Sequence, residues 1–256
     1  MNGCLCIHGF TGSPKELEPL VQFLKKHTNW FIKTPTLPGH GEHLRLKGIH
    51  YQQWIEHTEM ELQQLLEQCD KVYICGFSMG GLIASYLSVR YPVQRLVLLS
   101  PAAYYLNTEY LKGQILRYFT FRESTRGIRT EIYTNFKRKV AMTPLSAVLQ
   151  FRKLVQTIRP LLRQLSTPTF IVQGKQDPVV PEKSAHFLFK SIQSIEKRLL
   201  FIEEADHQIC YGDYTSQLFH EILSFLDLES VENPIVHKHE KLRHSTNFEK
   251  IAFNDI

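Results

Sequence analysis

The 256-residue sequence carries 30 Lys and Arg against 25 Asp and Glu, with 43% hydrophobic and 21% charged residues. This composition excludes a disordered chain, and the length allows one large α/β domain or two small ones. The formal net charge of +5 is too small to indicate nucleic-acid binding.

The sequence lacks the signals of membrane insertion and export. No run of about 18 apolar residues occurs, and no basic segment followed by a long apolar core comes after Met1. The cysteines are odd in number and mostly have apolar neighbours, which favours reduced thiols in a cytosolic protein. They are Cys4, Cys6, Cys69, Cys75 and Cys210.

The first half of the chain alternates strand-like and helix-like segments. Residues 3–8 form a short apolar run, which is typical of a buried parallel strand. Next, Ser13, Pro14 and Glu16 predict a helix start, in which Ser13 is the N-cap and Glu16 completes a capping box. The following elements are a short strand at 30–33, a helix at 51–68 and a strand at 71–75.

The same alternation continues to the end of the core. Further strands are predicted at 95–99, 169–173 and 199–202, and further helices end near Arg90, begin near Pro181 and run from about 214 to 228. Strands that alternate with helices imply a mostly parallel sheet covered on both faces.

Two segments do not fit this alternation. Residues 103–166 contain no clear strand and many Tyr, Phe and Arg, so they predict a helical cap inserted between two halves of the core, 1–102 and 167–228. Residues 229–256 carry little apolar material and predict a loosely held C-terminal tail.

The pentapeptide Gly76-Phe77-Ser78-Met79-Gly80 lies between a predicted strand and a predicted helix. A Gly-x-Ser-x-Gly sequence in this context is typical of a nucleophile elbow, where a sharp, strained turn exposes the serine hydroxyl. Small residues on either side allow the strand and the helix to approach closely. Ser78 is therefore the candidate nucleophile.

A serine hydroxyl needs a base, and the base needs an acid that orients it. On a sheet of this kind both follow the serine, in the order Asp then His, on loops after later strands. Asp177 and His207 meet this requirement, since each comes just after a predicted strand. Asp206, Glu203 and Glu204 remain rival acids by position.

Two backbone amides are candidate donors to an oxyanion. The N–H of Met79 follows the nucleophile directly, and the second donor should come from the loop after the first strand, His8-Gly9-Phe10-Thr11-Gly12. Phe10 is the candidate there, because Gly9 and Gly12 allow the loop to turn its amide inward. We interpret His8 as a structural residue that holds this loop by hydrogen bonds.

Signals for a metal or cofactor are weak. His40, His43, His50 and His57 occur close together, but no thiol or carboxylate pattern of metal-ligand spacing accompanies them. No dinucleotide or phosphate-binding glycine motif is present. We therefore predict no metal and no cofactor.

Several blocks in order carry a family resemblance, namely His8-Gly9-Phe10-Thr11-Gly12-Ser13, Leu37-Pro38-Gly39-His40-Gly41, the Ser78 pentapeptide, Asp177 and His207. Over residues 3–228 the chain resembles the bacterial carboxylesterase and monoacylglycerol-lipase group of the α/β-hydrolases. The resemblance implies a capped serine hydrolase of acyl esters with Phe10 and Met79 as oxyanion donors. Since Met1 directly precedes the first predicted strand, we expect no N-terminal β-hairpin.

Three functions remain open at this point. The first is hydrolysis of carboxylic esters through an acyl-enzyme on Ser78, and the second is hydrolysis of thioesters or lysophospholipids with the same triad. The third is a hydrolase-like binding protein without turnover. A small acyl ester is the expected partner, while the oligomeric state, the acyl chain length and the leaving group are left open.

The positive charge is concentrated in the predicted cap. Residues 103–166 contain twelve Lys and Arg against three acids, so the cap carries +9 and the rest of the chain −4. This charge is either a solvated helical face or a surface that contacts anionic substrates or anionic lipid. Cap aromatics, among them Tyr104 and Phe151, either line an acyl pocket or pack within the cap.

Overall fold

The six predicted strands and one further strand form a seven-stranded sheet, with the order β2-β1-β3-β4-β5-β6-β7. The computed structural model describes residues 1–104, 143–227 and 248–250, the last three by their backbone. Strands β1 to β6 pair in parallel, and β7 pairs antiparallel with β6. The strands are β1 (Asn2–Ile7), β2 (Phe31–Lys33), β3 (Lys71–Phe77), β4 (Arg95–Leu99), β5 (Thr169–Gly174), β6 (Lys197–Ile202) and β7 (Phe248–Lys250).

Alternate side chains of the strands enter two separate hydrophobic clusters, one on each face of the sheet. In β1, Leu5 and Ile7 enter the first cluster, while Cys4 and Cys6 enter the second. The first is covered by α2 (Tyr51–Gln68), α3 (Met79–Arg90), α4 (Leu145–Ile158) and α5 (Lys183–Ser191). The second is covered by α1 (Glu18–His27) and α6 (Thr215–Leu226). This is the predicted α/β-hydrolase architecture.

The predicted helix start at Ser13 differs from the structure. Residues Pro14–Leu17 form a 3₁₀ turn, and Ser13 makes no capping hydrogen bond with its side chain. The Glu16 carboxylate accepts a hydrogen bond from the N–H of Gly9 in the loop after β1. The predicted capping box was wrong, because its Ser13 half is absent.

Most of the predicted cap, residues 105–142, lies outside the described residues. Of the remainder, α4 and a 3₁₀ turn (Arg159–Gln164) lead back to β5. Ala147, Phe151, Leu154 and Ile158 of α4 enter the first cluster, so this helix is fastened to the core. Apolar residues at helical spacing explain that face.

The predicted tail contains a strand that its sequence did not indicate. Strand β7 (Phe248–Lys250) pairs with Leu200 to Ile202 at the outer edge of β6. The other residues from 228 onward lie outside the described part of the chain. Among the described helices, none combines the length and the apolar character that crossing a bilayer would require.

Candidate active site

Ser78 lies between β3 and α3 in a strained backbone conformation, with φ 54° and ψ −115°. The two flanking glycines are required by close contacts. A Cβ on Gly76 would lie 2.5 Å from the carbonyl oxygen of Gly80, and a Cβ on Gly80 would lie 2.1 Å from that of Ile7. The elbow is thus pressed against the end of β1, as the pentapeptide predicts.

Three side chains from different loops form one hydrogen-bonded chain at the carboxyl edge of the sheet. His207 Nε2 lies 3.1 Å from Ser78 Oγ, and His207 Nδ1 lies 2.8 Å from Asp177 Oδ2. Because Nδ1 faces a carboxylate, it carries the ring proton and donates it, which leaves Nε2 to accept the serine O–H. The structure therefore brings the three predicted residues together in the predicted order.

The carboxylate of Asp177 is fully buried and accepts hydrogen bonds on both oxygens. Oδ1 accepts the N–H groups of Val179 and Val180, each at 2.8 Å. Oδ2 accepts Gln173 Nε2 at 3.0 Å in addition to His207. These contacts fix the carboxylate, which in turn fixes the imidazole.

Gln173 is a site residue that the sequence reasoning missed. It is the last polar side chain of the apolar strand β5, and its Nε2 also approaches the carbonyl oxygen of Val180 at 3.1 Å. It therefore holds both ends of the loop that carries Asp177. The one signal that the sequence offered was a polar amide within an apolar strand, one residue before Gly174; the structure shows that this glutamine is fully buried.

The rival acids point to other partners. Asp206 Oδ1 accepts the N–H of Gln208 at 3.0 Å, a local turn contact on its own loop. Glu203 forms an ion pair with Lys175 at 2.6 Å, and Glu204 is exposed. Of the candidate acids, Asp177 is the one that contacts the His207 ring nitrogen.

Electrostatics at His207 act in opposite directions. Burial lowers its pKa, since the imidazolium loses its hydration. The charge and hydrogen bond of Asp177 raise the pKa, with smaller contributions from Glu16 and Asp206, and the balance is a pKa above the ordinary histidine value. The site is therefore built to stabilise a protonated imidazole once a proton has been transferred to it.

The loop after β1 is held by His8, as the sequence analysis proposed. Nε2 of His8 accepts the N–H of Leu37 at 3.0 Å, so the ring proton is on Nδ1, which donates to the carbonyl oxygen of Gly9 at 2.8 Å. The amide of Gly12 approaches the same carbonyl at 3.2 Å and closes a tight turn. Within the described residues, no protein acceptor faces the N–H of Phe10 or of Met79.

Phe10 belongs to an aromatic cluster that joins the loop to α2 and α4. Its ring stacks on Phe151 at 5.0 Å and lies 5.9 Å from Trp54 and from His40. His40 is buried and has Nδ1 3.0 Å from the carbonyl oxygen of Pro38. The His40 ring packs against His8 and Phe10 of the loop after β1, and His43 and His50 are exposed.

All five cysteines are free thiols. The sulfur atoms of Cys4, Cys6 and Cys75 lie within 4.8 Å of one another in the second cluster, and this is the single group of three or more potential metal ligands among the described residues. The three are fully buried in apolar surroundings, where cysteine packs as a small hydrophobic residue. Cys75 is thus a buried strand residue, as predicted.

Comparison with known proteins identifies a family and similar proteins. Residues 3–213 match the family model described as serine aminopeptidase, S33. The chain is 26% identical to a thermostable monoacylglycerol lipase of Bacillus sp. (strain H-257) over 215 residues, covering 80% of this chain and 82% of the relative. It is 22% identical to a carboxylesterase of Bacillus subtilis (strain 168) over 227 residues, covering 87% of this chain and 91% of the relative.

The fold is also similar to that of solved structures. One, from a study of the metagenome-derived lipolytic enzymes LipS and LipT, matches with a TM-score of 0.73 and 22% identity. It covers 89% of this chain and 94% of the other. At this identity the match establishes the shared fold.

Proposed function

Because the chain belongs to the serine aminopeptidase S33 family of α/β-hydrolases, we propose that it hydrolyses carboxylic esters through an acyl-enzyme on Ser78. The observation that carries the proposal is the hydrogen-bonded chain from Ser78 Oγ through His207 to the buried carboxylate of Asp177. The two curated relatives, a monoacylglycerol lipase and a carboxylesterase, support acyl esters as the substrate class.

In the first half of the reaction, Ser78 Oγ attacks the ester carbonyl carbon while its proton passes to His207 Nε2. The carbonyl π electrons move to oxygen, and the N–H groups of Phe10 and Met79 donate to that oxyanion. Met79 is the first residue of α3, so the positive end of the helix dipole adds to this stabilisation. Collapse of the intermediate breaks the C–O bond, and His207 returns the proton to the departing alcohol.

In the second half, water replaces the alcohol. His207 Nε2 takes a proton from the water as the water oxygen attacks the acyl carbon, and the same two N–H groups donate hydrogen bonds to the second oxyanion. Breaking the bond to Ser78 Oγ, with return of the proton from His207, releases the carboxylic acid. Asp177 remains ionised throughout and stabilises the imidazolium of both intermediates.

The test is a panel of nitrophenyl esters and monoacylglycerols of rising acyl length, measured alongside one thioester of matched chain. We expect saturable ester hydrolysis that Ser78→Ala abolishes, together with labelling of the wild-type protein by a fluorophosphonate at Ser78. Preference for the thioester would change the substrate class and leave the mechanism intact. Folded wild-type protein that neither turns over esters nor reacts with the probe would contradict the proposal.

A further inference from the structure

Glu16 is a buried carboxylate that the proposed mechanism does not use. Its side chain is 8% exposed, and Oε2 accepts the N–H of Gly9 at 2.9 Å across seven residues of chain. A carboxylate loses much of its hydration at such a site, so a charge-assisted hydrogen bond to a backbone amide is the compensation. The contact therefore joins the 3₁₀ turn Pro14–Leu17 to the loop after β1, residues 8–12, which carries the proposed donor Phe10.

Gly9 lies so close to the nucleophile elbow that a side chain there would be tightly packed. A Cβ on Gly9 would lie 3.2 Å from both the Phe77 ring and Ser78 Cβ, so a side chain would press on the nucleophile elbow. Glycine allows the close approach, but it has more backbone freedom than any other residue. Something other than a side chain of residue 9 must therefore fix its backbone.

Two side chains fix the two peptide planes on either side of the Gly9 α-carbon. Glu16 holds the N–H of Gly9, which belongs to the plane before it. His8 Nδ1 holds the carbonyl oxygen of Gly9, which belongs to the plane after it. That second plane also contains the N–H of Phe10, which in a trans peptide points away from the carbonyl. The direction of the Phe10 amide thus depends on both contacts.

Gly12 shows how closely the carboxylate is fitted to the loop. A Cβ on Gly12 would lie 1.9 Å from Glu16 Oε2, so any side chain there would displace the carboxylate. The backbone conformation of Gly12 is not left-handed, so the close approach of Glu16 is the reason that this position excludes a side chain.

We infer that Glu16 is a positioning residue for the oxyanion hole, which fixes Gly9 so that the N–H of Phe10 is aimed at the developing oxyanion. The inference rests on the proposed function, and it assigns to Glu16 a role that acts through the loop and not on the substrate. Its effect belongs to the transition state, because the ester carbonyl carries little charge before attack.

The first experiment compares Glu16→Ala with Glu16→Gln and with the matched control Glu18→Ala, an exposed glutamate two residues on. Losing an oxyanion donor outright costs about 100- to 1,000-fold in kcat. Misdirecting one in Glu16→Ala should cost about 10- to 100-fold in kcat with little change in KM. Glutamine keeps an acceptor oxygen and should restore most of the kcat, while Glu18→Ala should match the wild type.

A pH profile separates the hydrogen bond from the charge. The charged groups that act on His207 are Asp177, Asp206 and Glu16, and each raises its pKa. Both Glu16 variants remove one negative charge, so the acid limb of kcat/KM should move to lower pH in both. The plateau kcat should fall in the alanine variant alone. Equal plateau losses in the two variants would overturn the role of the hydrogen bond.

The second experiment is a double-mutant cycle with Gly12→Ala, which displaces the carboxylate without removing it. Gly12→Ala should lower kcat about as much as Glu16→Ala. The double variant should be no slower than Glu16→Ala alone, because the same contact is lost once. Losses that multiply in the double variant would mean that the two positions act independently and would contradict the inference.

Each kcat is divided by the end-point extent of fluorophosphonate labelling, which counts folded active sites. A Glu16→Ala protein with wild-type kcat per labelled site would overturn the inference. The proposed function would be contradicted by a different result, namely wild-type protein that shows neither turnover nor labelling. The two failures are therefore distinguishable.

Discussion

The two edges of the sheet, at the carboxyl and amino ends of its parallel strands, are built differently. At the carboxyl edge lie all the non-glycine residues with positive φ among the described residues, namely Thr11 (62°), Ser78 (54°) and Ser100 (45°), which follow β1, β3 and β4. At the amino edge, Arg95 forms a two-point ion pair with Glu196 at 2.6 and 2.9 Å. Lys197 donates there to the carbonyl oxygens of Phe189 and Ile192.

Unpaired polar atoms follow the same division. The side-chain oxygens Thr11 Oγ1, Ser100 Oγ, Gln173 Oε1 and Gln208 Oε1 are buried and make no hydrogen bond with the described residues. All four belong to the carboxyl edge, where each costs free energy of folding. Strain and unpaired polar groups are thus concentrated beside the candidate site, while Arg95, Glu196 and Lys197 at the opposite edge all have partners.

The largest expected effect is on the chain of hydrogen bonds at the carboxyl edge. Asp177→Asn should lower kcat about 10⁴-fold, because an amide cannot hold the His207 proton on Nδ1 or stabilise the imidazolium. The matched variant Asp206→Asn should retain activity, since Asp206 contacts its own loop. Ester hydrolysis with both purified variants is the measurement, and equal losses in the two would contradict the assignment of Asp177.

The next effect is on stability and has an unusual sign. Replacing alanine by glycine normally lowers the free energy of unfolding. At position 78 we expect the reverse: the free energy of unfolding of Ser78→Gly should be about 1 kcal/mol higher than that of Ser78→Ala, because glycine adopts the positive φ without strain. Both variants are inactive, so the comparison isolates the backbone. Urea unfolding measures the difference, and a glycine variant less stable than the alanine variant would show that the elbow stores no strain.

The smallest effect is expected at the amino edge. Glu196→Gln should lower the free energy of unfolding by about 1 kcal/mol and leave kcat unchanged, since it weakens a paired guanidinium far from Ser78. The exposed pair Lys15–Glu42 supplies the control, because Glu42→Gln should have no measurable effect on stability. Loss of kcat in Glu196→Gln would mean that the two edges are coupled.

Local sequence patterns predicted the elements of the core well. The helices at Tyr51–Gln68 and Met79–Arg90 and the strand at Arg95–Leu99 lie where the apolar spacing indicates. The order of Ser78, Asp177 and His207 along the chain also predicted their meeting, because carboxyl ends of neighbouring parallel strands share one edge.

What the sequence could not predict depends on contacts between distant residues. Glu16 fits a capping box by spacing, and only the folded loop shows that Gly9 takes its carboxylate. Gln173 gave no periodic signal, since its partners Asp177 and Val180 come together through the turn after β5. Strand β7 is three residues long in a polar segment, too short for an alternating pattern.

The reactivity of the buried cysteines reports local opening of the folded protein. Cys4 and Cys6 of β1 and Cys75 of β3 lie on two neighbouring strands that pair in parallel, and they are closed to solvent. They lie in the second cluster beneath α1 and α6, so a thiol reagent can reach them when the packing of that cluster opens, and their modification rate measures how often this happens. Half-buried Cys69, at the end of α2, reacts without this opening and supplies the internal reference. The opening of this side of the sheet can thus be followed without introducing any label.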